Sequence, residues 1–593
     1  MSHRLGTGGR LIDRARPMDF TFNGKTMRGY AGDTLAAALL GAGQVLVGRS
    51  FKYHRPRGIM AAGVEEPNAL LTVGSGARRE PNIAATVLEL HAGLSTRTQN
   101  AWPSVGFDLM AVNGLLSPLF VAGFYYKTFM GPTRKAWMVY EHFIRKAAGL
   151  GEATTQPDPD RYDWHHGFTD VLVVGAGPAG LAAALGAAQA GLDVVLVEQV
   201  FLPGGSLLGH AVDSAAAQWL ARMLADLQAT GRVRLLTRST AFGLYDGNSV
   251  GVVERCEPGS ADAARGVPRQ RLHILRTAHI VMACGALERP LVFAGNDLPG
   301  VMLAGAVGSY VNRYAVVPGR KAVFALNNDA AYGDAIALAR AGASVCIADL
   351  RPVAGAAVLQ HARAAGVEVR LATAVARAHG GQRVRRCEIA PYDMASGTLT
   401  GASSGLDVDL IAMSGGWTPT VHLSSHRGIR PVYRADVAGF VPGGFDRQHF
   451  GAGAMVGCQD LDAALRSGWQ AAQQVAHGSG KTLGAPCPHA PRDTADASMA
   501  FTAAPPVLLP GRKGKAFVDF QNDVTVDDIE LAHREGFRSV EHLKRYTTLG
   551  MGTDQGKTSN LNALAIMAAR RERGLDAVGT TTFRPPYTPV TIG

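Results

Sequence analysis

The chain has 593 residues, 47% of them hydrophobic and 18% charged, which supplies several apolar cores and excludes a disordered chain. Its formal charge is +11, but the basic residues are scattered and no nucleic-acid motif accompanies them. That sets nucleic acid aside and leaves an anionic ligand or an acidic partner protein. Six cysteines, none in a CxxC spacing, speak against a disulfide framework or a cysteine metal site, so no metal is expected, and free thiols in a large chain fit a cytoplasmic location.

The N-terminus MSHRLGTGGRLIDRARP has no apolar core and does not read as a secretory signal. Phe20 to Arg28 predicts a hairpin turning at Asn23-Gly24. Asp33-Thr34 then predicts a cap for an Ala/Leu helix reaching about Leu40. The loop GRSFKYHRPRG carries Arg49, Lys52, His54, Arg55 and Arg57 with Phe51 and Tyr53 between them. It reads either as a solvated loop or as a clamp on an anionic group or partner subunit. Leu109 to Tyr126 is mostly apolar but is broken by Asn113, Gly114, Pro118 and Gly123 and flanked by Asp108 and Lys127. A buried irregular segment is expected there, and not a membrane span.

A polar linker over 151–162 separates this first region from a run of alternating apolar strands and Ala-rich helices, the pattern of a parallel α/β sheet. Its strongest motif is DVLVVGAGPAGLAAALGAAQAGLDVVLVEQ. Asp170 to Val174 is a strand; Gly175, Gly177 and Gly180 form GxGxxG at the start of a helix; Leu192 to Val197 is a second strand ending in Glu198. Glycines of this spacing permit a tight turn, close pyrophosphate approach and close helix packing, and the acid can accept ribose hydroxyls. Gly204, Gly205 and Ser206 follow as further donors. Ala278 to Pro290 predicts another strand, where Cys284 reads as a small turn residue because no second thiol accompanies it. From Arg320 a second strand–helix–strand unit begins, with a strand Ala322 to Leu326 and Asp349 ending the next. Its loop, Asn327 to Gly333, replaces the first glycines by bulky residues and adds Asp329, so this unit is expected to be structural or a poor nucleotide site. Asp409 to Thr420 and Phe450 to Ala472 close the fold. A proline-rich stretch follows, then a helical unit over Val518 to Arg573 opened by Thr525 and Asp528.

These segments, with RSFKYHRPRGIMAAGVEEPNALL, DFQNDVT, EGFRSVEHLKRYTTLGMGTDQGKTSN and GTTTFRPPYTPVTIG, resemble the alpha subunits of heterotetrameric sarcosine oxidases. Phe450 to Ala472 in turn resembles the last cofactor-contacting turn and helix of two-dinucleotide flavoprotein reductases, with Ala454 and Leu461 as contacts. The resemblance implies a fold of three parts. Residues 1–165 would form a ferredoxin-like domain without cluster cysteines. Residues 166–480 would form a Rossmann-type, two-dinucleotide-binding core, with the degenerate unit at about 319–410. Residues 481–593 would hold a linker and a small helical domain. It also implies NAD at Ala179, Glu198, Gln199, Val200, Ser206 and Ala241, a covalent FMN at the interface with a beta subunit, FAD in that subunit, and gamma and delta partners. The implied reaction is oxidation of sarcosine to glycine with oxygen reduced to peroxide. FAD in place of NAD, a related N-methyl amine dehydrogenase and a freestanding NAD(P)H-dependent flavin reductase are the alternatives. Related dehydrogenases hold iron–sulfur clusters, but Gly48 to Gly74 contains no cysteine and none follows Cys487, and each cluster needs about four thiolates. Family chains continue past the FRPPYTPV segment into a folate-binding domain, so no folate site is expected here. No catalytic residue is assigned. Lys544, Arg545 and Lys557 are expected to face the FMN phosphate and the partner.

Overall fold

A computed structural model describes residues 3–127, 131, 133, 136–256, 259, 265–491, 509 and 513–590. The chain forms two compact units, each built from separated stretches: residues 1–158, 288–416 and 504–581 in one, 159–287, 417–503 and 582–593 in the other. This grouping differs from a division into three successive domains. The degenerate strand–helix–strand region joins the same unit as the N-terminal and C-terminal regions. The proline-rich expectation over 492–508 lies outside the described residues.

In the first unit a five-stranded sheet runs in the order Lys25–Ala31, Asp13–Phe22, Ser95–Thr98, Leu70–Val73, Glu80–Ala84. The predicted hairpin is its edge: Asn23 and Gly24 both take positive φ, 51° and 77°, as a two-residue turn between right-twisted strands requires. Helix Leu35–Gly41 is buried on every side. Thr34 caps it, its Oγ1 accepting from Ala37 N at 3.2 Å, whereas Asp33 turns away to bind Arg4 and the Tyr30 amide. Glu66 is buried as the centre of a loop, its two oxygens accepting from the amides of Met60, Ala61, Asn68 and Ala69 at 2.6 to 2.9 Å.

The basic loop at 48–58 is neither solvated nor open to a ligand, because the anions it clamps are the chain's own carboxylates. Arg57 is 1% exposed and pairs with Asp297 and Asp523, both fully buried. Arg55 donates to both Asp297 oxygens, at 2.6 Å to the one Arg57 also contacts and 2.9 Å to the other, His54 pairs with Asp108 at 2.8 Å, and Phe517 lies beside the Arg57 guanidinium. Buried charge at this density is tolerable only because each partner is paired.

The Leu109–Tyr126 stretch is irregular as expected, made of short 3-10 turns at Leu109–Gly114 and Ser117–Phe120 and one helical turn at Phe124–Lys127. It is not buried as expected: Leu109, Val112, Leu115, Leu116 and Leu119 are 44–82% exposed. The turns are too short to present one consistent face to a core. Among the described residues no helix is long and apolar enough to cross a membrane.

A second, wholly parallel sheet of this unit runs Val301–Leu303, Leu410–Ser414, Lys321–Leu326, Ser344–Asp349, Glu368–Arg370. The C-terminal helices Val526–Arg534, Val540–Thr547 and Asn560–Arg570 belong to the same unit. Thr525 and Asp528 form the predicted capping box.

The second unit is a seven-stranded sheet in the order Val233–Leu236, Val194–Val197, Tyr162–Val174, Gln270–Met282, Ser249–Arg255, Ser239–Tyr245, with His449–Gly451 also paired to Gln270–Met282. The two central strands are 13 residues long, so the first begins well before Asp170. Its leading half is largely exposed and its trailing half buried, and only the buried half carries an apolar signal in the sequence. Helix Pro178–Gln189 is buried over ten of its 12 residues. Its alanines and glycines, small or without a β-carbon, let helix Leu461–Gly478 approach closely, Gly186 meeting Ala472 and Gly468 meeting Ala179.

Candidate dinucleotide-binding site

The three glycines after strand Tyr162–Val174 do three different jobs. Gly175 sits at φ +102°, and a β-carbon there would lie 2.4 Å from Ala283 O; it makes the turn. At Gly180 a β-carbon would fall 1.8 Å from Gly175 O, so this glycine lets helix and strand touch. Gly177 differs from both. Its backbone is ordinary (φ −74°, ψ −178°), and a β-carbon would meet no protein atom within 4 Å. Neither conformation nor packing requires glycine at 177, and the space beside it is open.

That space lies at the N-terminus of helix Pro178–Gln189, where Gly177 is the N-cap and offers no side chain to the helix. Pro178 has no amide proton, and the Ala179 and Gly180 amides lack intrahelical acceptors by helix geometry. Donors and dipole together form an anion site. Gly205 closes the opposite wall: it takes φ +54°, and a β-carbon there would stand 2.9 Å from Gly177 Cα, while Gly204 N donates to Ala176 O at 2.8 Å. Ser206 follows, exposed.

Glu198 ends strand Val194–Val197 and is 7% exposed. Its Oε2 accepts from Ala176 N at 2.8 Å and its Oε1 from Val200 N at 3.1 Å, which holds the carboxylate against the glycine loop. The Glu198 carbonyl accepts from Ser239 N and the Val200 carbonyl from Arg238 N. These bonds bring Gln199, Val200 and the strand carrying Ala241 to the same end of the sheet. Ala179 is pressed by Gly453, whose β-carbon would lie 2.8 Å from the Ala179 methyl, and by Gly468. Ala454 follows Gly453 in a short turn, and Leu461 opens the helix about two turns before Gly468. The structure thus gathers the glycine loop, Ala179, Glu198 to Val200, Gly205 and Ala241. Sequence reasoning overlooked Gly453 and Gly468; the signal for Gly468 was an isolated glycine inside an amphipathic helix, which costs stability unless something must come close.

Cys284 stands at the end of the neighbouring strand, and burial together with the Glu198 carboxylate pushes its thiol up to about 12. A thiol so held is protonated and unreactive at neutral pH.

The second strand–helix–strand unit has filled its own loop. Asp329 binds Arg351 at 2.6 Å, Arg351 also binds Asp349, Tyr332 OH donates to Asp349 at 2.8 Å, and Asn328 reaches Ser414 Oγ at 3.0 Å. Asn327, Asn328 and Asp329 are all buried. Side chains stand where a phosphate would need open backbone.

The C-terminal cations separate. Lys544 and Arg545 lie in the last turn of helix Val540–Thr547 with solvent access, but Lys557 is 5% exposed and donates to Asp554 O at 3.1 Å. Burial lowers its ammonium to about 8, opposed by Asp554 and Glu65. Beside it, at the start of helix Asn560–Arg570, the buried hydroxyls of Thr558 and Ser559 have no hydrogen-bond partner among the described residues.

Residues 15–101 match the 2Fe-2S iron-sulfur cluster binding domain, residues 170–251 the FAD dependent oxidoreductase family, and residues 513–593 the sarcosine oxidase A3 domain. The first of these stretches contains no cysteine. L-proline dehydrogenase from P. horikoshii superposes with a TM-score of 0.66 at 17% identity, over 98% of this chain and 97% of that one, a likeness of fold alone. Sarcosine oxidase subunit alpha of Rhizobium meliloti (strain 1021) is 48% identical over 597 residues, covering 100% of this chain and 59% of the relative. Its counterpart in Corynebacterium sp. (strain P-1) is 36% identical, covering 98% and 56%. The chain therefore spans between half and two thirds of these relatives' length. On this identity from end to end of the chain, and on the match of residues 513–593 to the A3 domain, the chain is similar over its whole length to the corresponding part of sarcosine oxidase alpha subunits.

Proposed function

We propose that the chain is the dinucleotide-binding subunit of a multi-subunit oxidase that converts sarcosine to glycine with formation of peroxide. In this reading NAD occupies the site from Gly175 to Glu198, FMN lies at the junction with a beta-type subunit, FAD belongs to that subunit, and gamma- and delta-type chains complete the assembly. One observation carries the nucleotide assignment: the open position at Gly177, where neither backbone nor packing asks for glycine, so that a ligand is the remaining reason for it.

The chain's own residues bind and orient. The amides of Ala179 and Gly180 would meet the pyrophosphate, and Glu198, which accepts one amide on each oxygen, has acceptor capacity left that would take ribose hydroxyls, with Ala241 standing at the same end of the sheet. For the FMN phosphate, the buried hydroxyls of Thr558 and Ser559 at a helix N-terminus are the matching groups. When bound, the flavins supply the electron acceptor for a CH–NH donor. FAD in the first site is the second reading, favoured by the match of residues 170–251 to the FAD dependent oxidoreductase family. A freestanding NAD(P)H-driven reductase is disfavoured by the self-filled loop at 327–333.

The test is to purify the chain alone and with its companion subunits, and to release and weigh the bound nucleotides. One NAD per chain is expected, with peroxide formed from sarcosine only by the assembly. Stoichiometric FAD on the isolated chain would reverse the nucleotide assignment, and peroxide from the isolated chain would remove the subunit reading.

A further inference from the structure

Large apolar side chains with high exposure are concentrated in one stretch of the chain in the first unit. Of the 21 such residues among those described, 11 fall between Trp102 and Leu150. Trp102 is 64% exposed, Phe107 66%, Leu115 82%, Met138 69%, Phe143 66% and Leu150 59%. Single exposed apolar residues are ordinary; a clustered set of this size on a water-soluble fold marks a surface that something covers.

The same stretch runs into a cleft of about 1810 Å³ within the first unit. Its lining includes Ala101 and Pro103 to Gly106, which bracket Trp102 and adjoin Phe107, and it includes His142, Arg145 and Leu150. His142 and Arg145 share helix Ala136–Ala148 with Met138 and Phe143. The cleft is one-sided in charge: Lys25, Arg79, Arg97, Arg145, Arg383 and Arg385 line it against a single carboxylate, Glu152. Some of these are already engaged, Arg79 with the Ala153 carbonyl and Arg145 with Glu141. Arg97, Arg383 and Arg385 are exposed.

We infer that this surface docks an acidic segment of a companion subunit, with apolar side chains of the partner covering Trp102 to Phe143 and carboxylates entering the cleft. The inference rests on the reading of the chain as a subunit. Charge complementarity selects a carboxylate-rich partner, and the concave shape selects a polypeptide segment over a flat lipid surface. The exposed apolar stretch and the basic cleft it runs into together supply the two parts of a protein interface, a desolvated centre and a charged border.

Two variants separate the parts: Leu115→Asp with Phe143→Asp, and Arg383→Glu with Arg385→Glu. All four side chains are exposed, so the fold and the bound nucleotide should be retained, and nucleotide content is measured as the control. Affinity for the companion subunits is measured by titration at several salt concentrations. The expected result is at least tenfold weaker assembly for each variant, with the salt dependence of the parent largely lost in the arginine variant. Parent affinity in both variants overturns the surface. So does an unchanged assembly accompanied by loss of binding to phosphatidylserine vesicles, or by loss of self-association in sedimentation. If the parent chain associates with no companion at all, the subunit reading fails first and takes this surface with it.

Discussion

Gly177→Ala is the sharpest probe of the nucleotide site, because the structure predicts that fold and binding will part company. The backbone at 177 is open to any L-residue and the added methyl meets no protein atom. The cost to folding is therefore that of a poorer helix N-cap, about 1 kcal/mol, or roughly 2–4 °C for a unit of this size. The methyl instead occupies the space in which a pyrophosphate must approach the helix N-terminus. Loss of one hydrogen bond to a charged phosphate oxygen costs about 1.5–3 kcal/mol, which is about 10- to 150-fold in affinity. Gly177→Val, with a bulkier side chain, should empty the site. Gly180→Ala gives the contrast: its methyl would sit 1.8 Å from Gly175 O, so backbone must move and stability falls by several kcal/mol. Calorimetric titration of the nucleotide-free chain and thermal denaturation measure the two effects separately. Parent affinity in Gly177→Ala would refute the reasoning, as would unfolding as severe as that of Gly180→Ala.

Other consequences are as direct. Cys284 should resist alkylation at pH 8 in the folded chain. Between pH 9 and about 12 the unfolded chain binds fewer protons than the folded one, so stability should fall as pH rises, and Cys284→Ala should flatten that slope in denaturant titrations. Asp523→Ala leaves Arg57 in the interior with Asp297, which Arg55 shares, as its remaining carboxylate, removes the acceptor of the Lys52 and Tyr53 amides, and should cost about 3–5 kcal/mol; an unchanged thermal midpoint would show that the pairing is dispensable. Glu66→Gln keeps the shape but presents donors to two of four amides, and a loss of about 2–4 kcal/mol is expected in the same measurement. Lys544→Ala with Arg545→Ala should weaken FMN retention and assembly with a beta-type subunit at physiological salt; parent values for both would move the junction elsewhere.

What the sequence made legible was whatever is written in local pattern. The glycine loop, the buried halves of its flanking strands, Glu198, the hairpin at Asn23-Gly24 and the capping box at Thr525 all depend on neighbours within a few residues, and each stands where expected. Pairings between distant residues were not legible. The loop at 48–58 looked like a basic clamp awaiting a ligand because Asp297 and Asp523 lie hundreds of residues away. Lys557 looked like part of an exposed basic turn beside Lys544, whereas it is buried in the turn that precedes helix Asn560–Arg570. The apolar turns at 109–120 looked buried because apolar composition indicates a need for cover without saying which chain provides it.

Arg57 sets a condition on how the protein can be made. Its two carboxylate partners lie at 297 and 523, and the second is separated from it by 466 positions. At synthesis rates of about 5–20 residues per second, that carboxylate leaves the ribosome about 20–90 s after the arginine does. Until then the N-terminal region has at most Asp297 and must wait for its full set of counter-charges, a long time against the micro- to millisecond collapse of a domain-sized chain. Expression of the first 165 residues alone should accordingly yield an insoluble or chaperone-bound fragment, and removal of the residues after 513 should unsettle a region that was translated first.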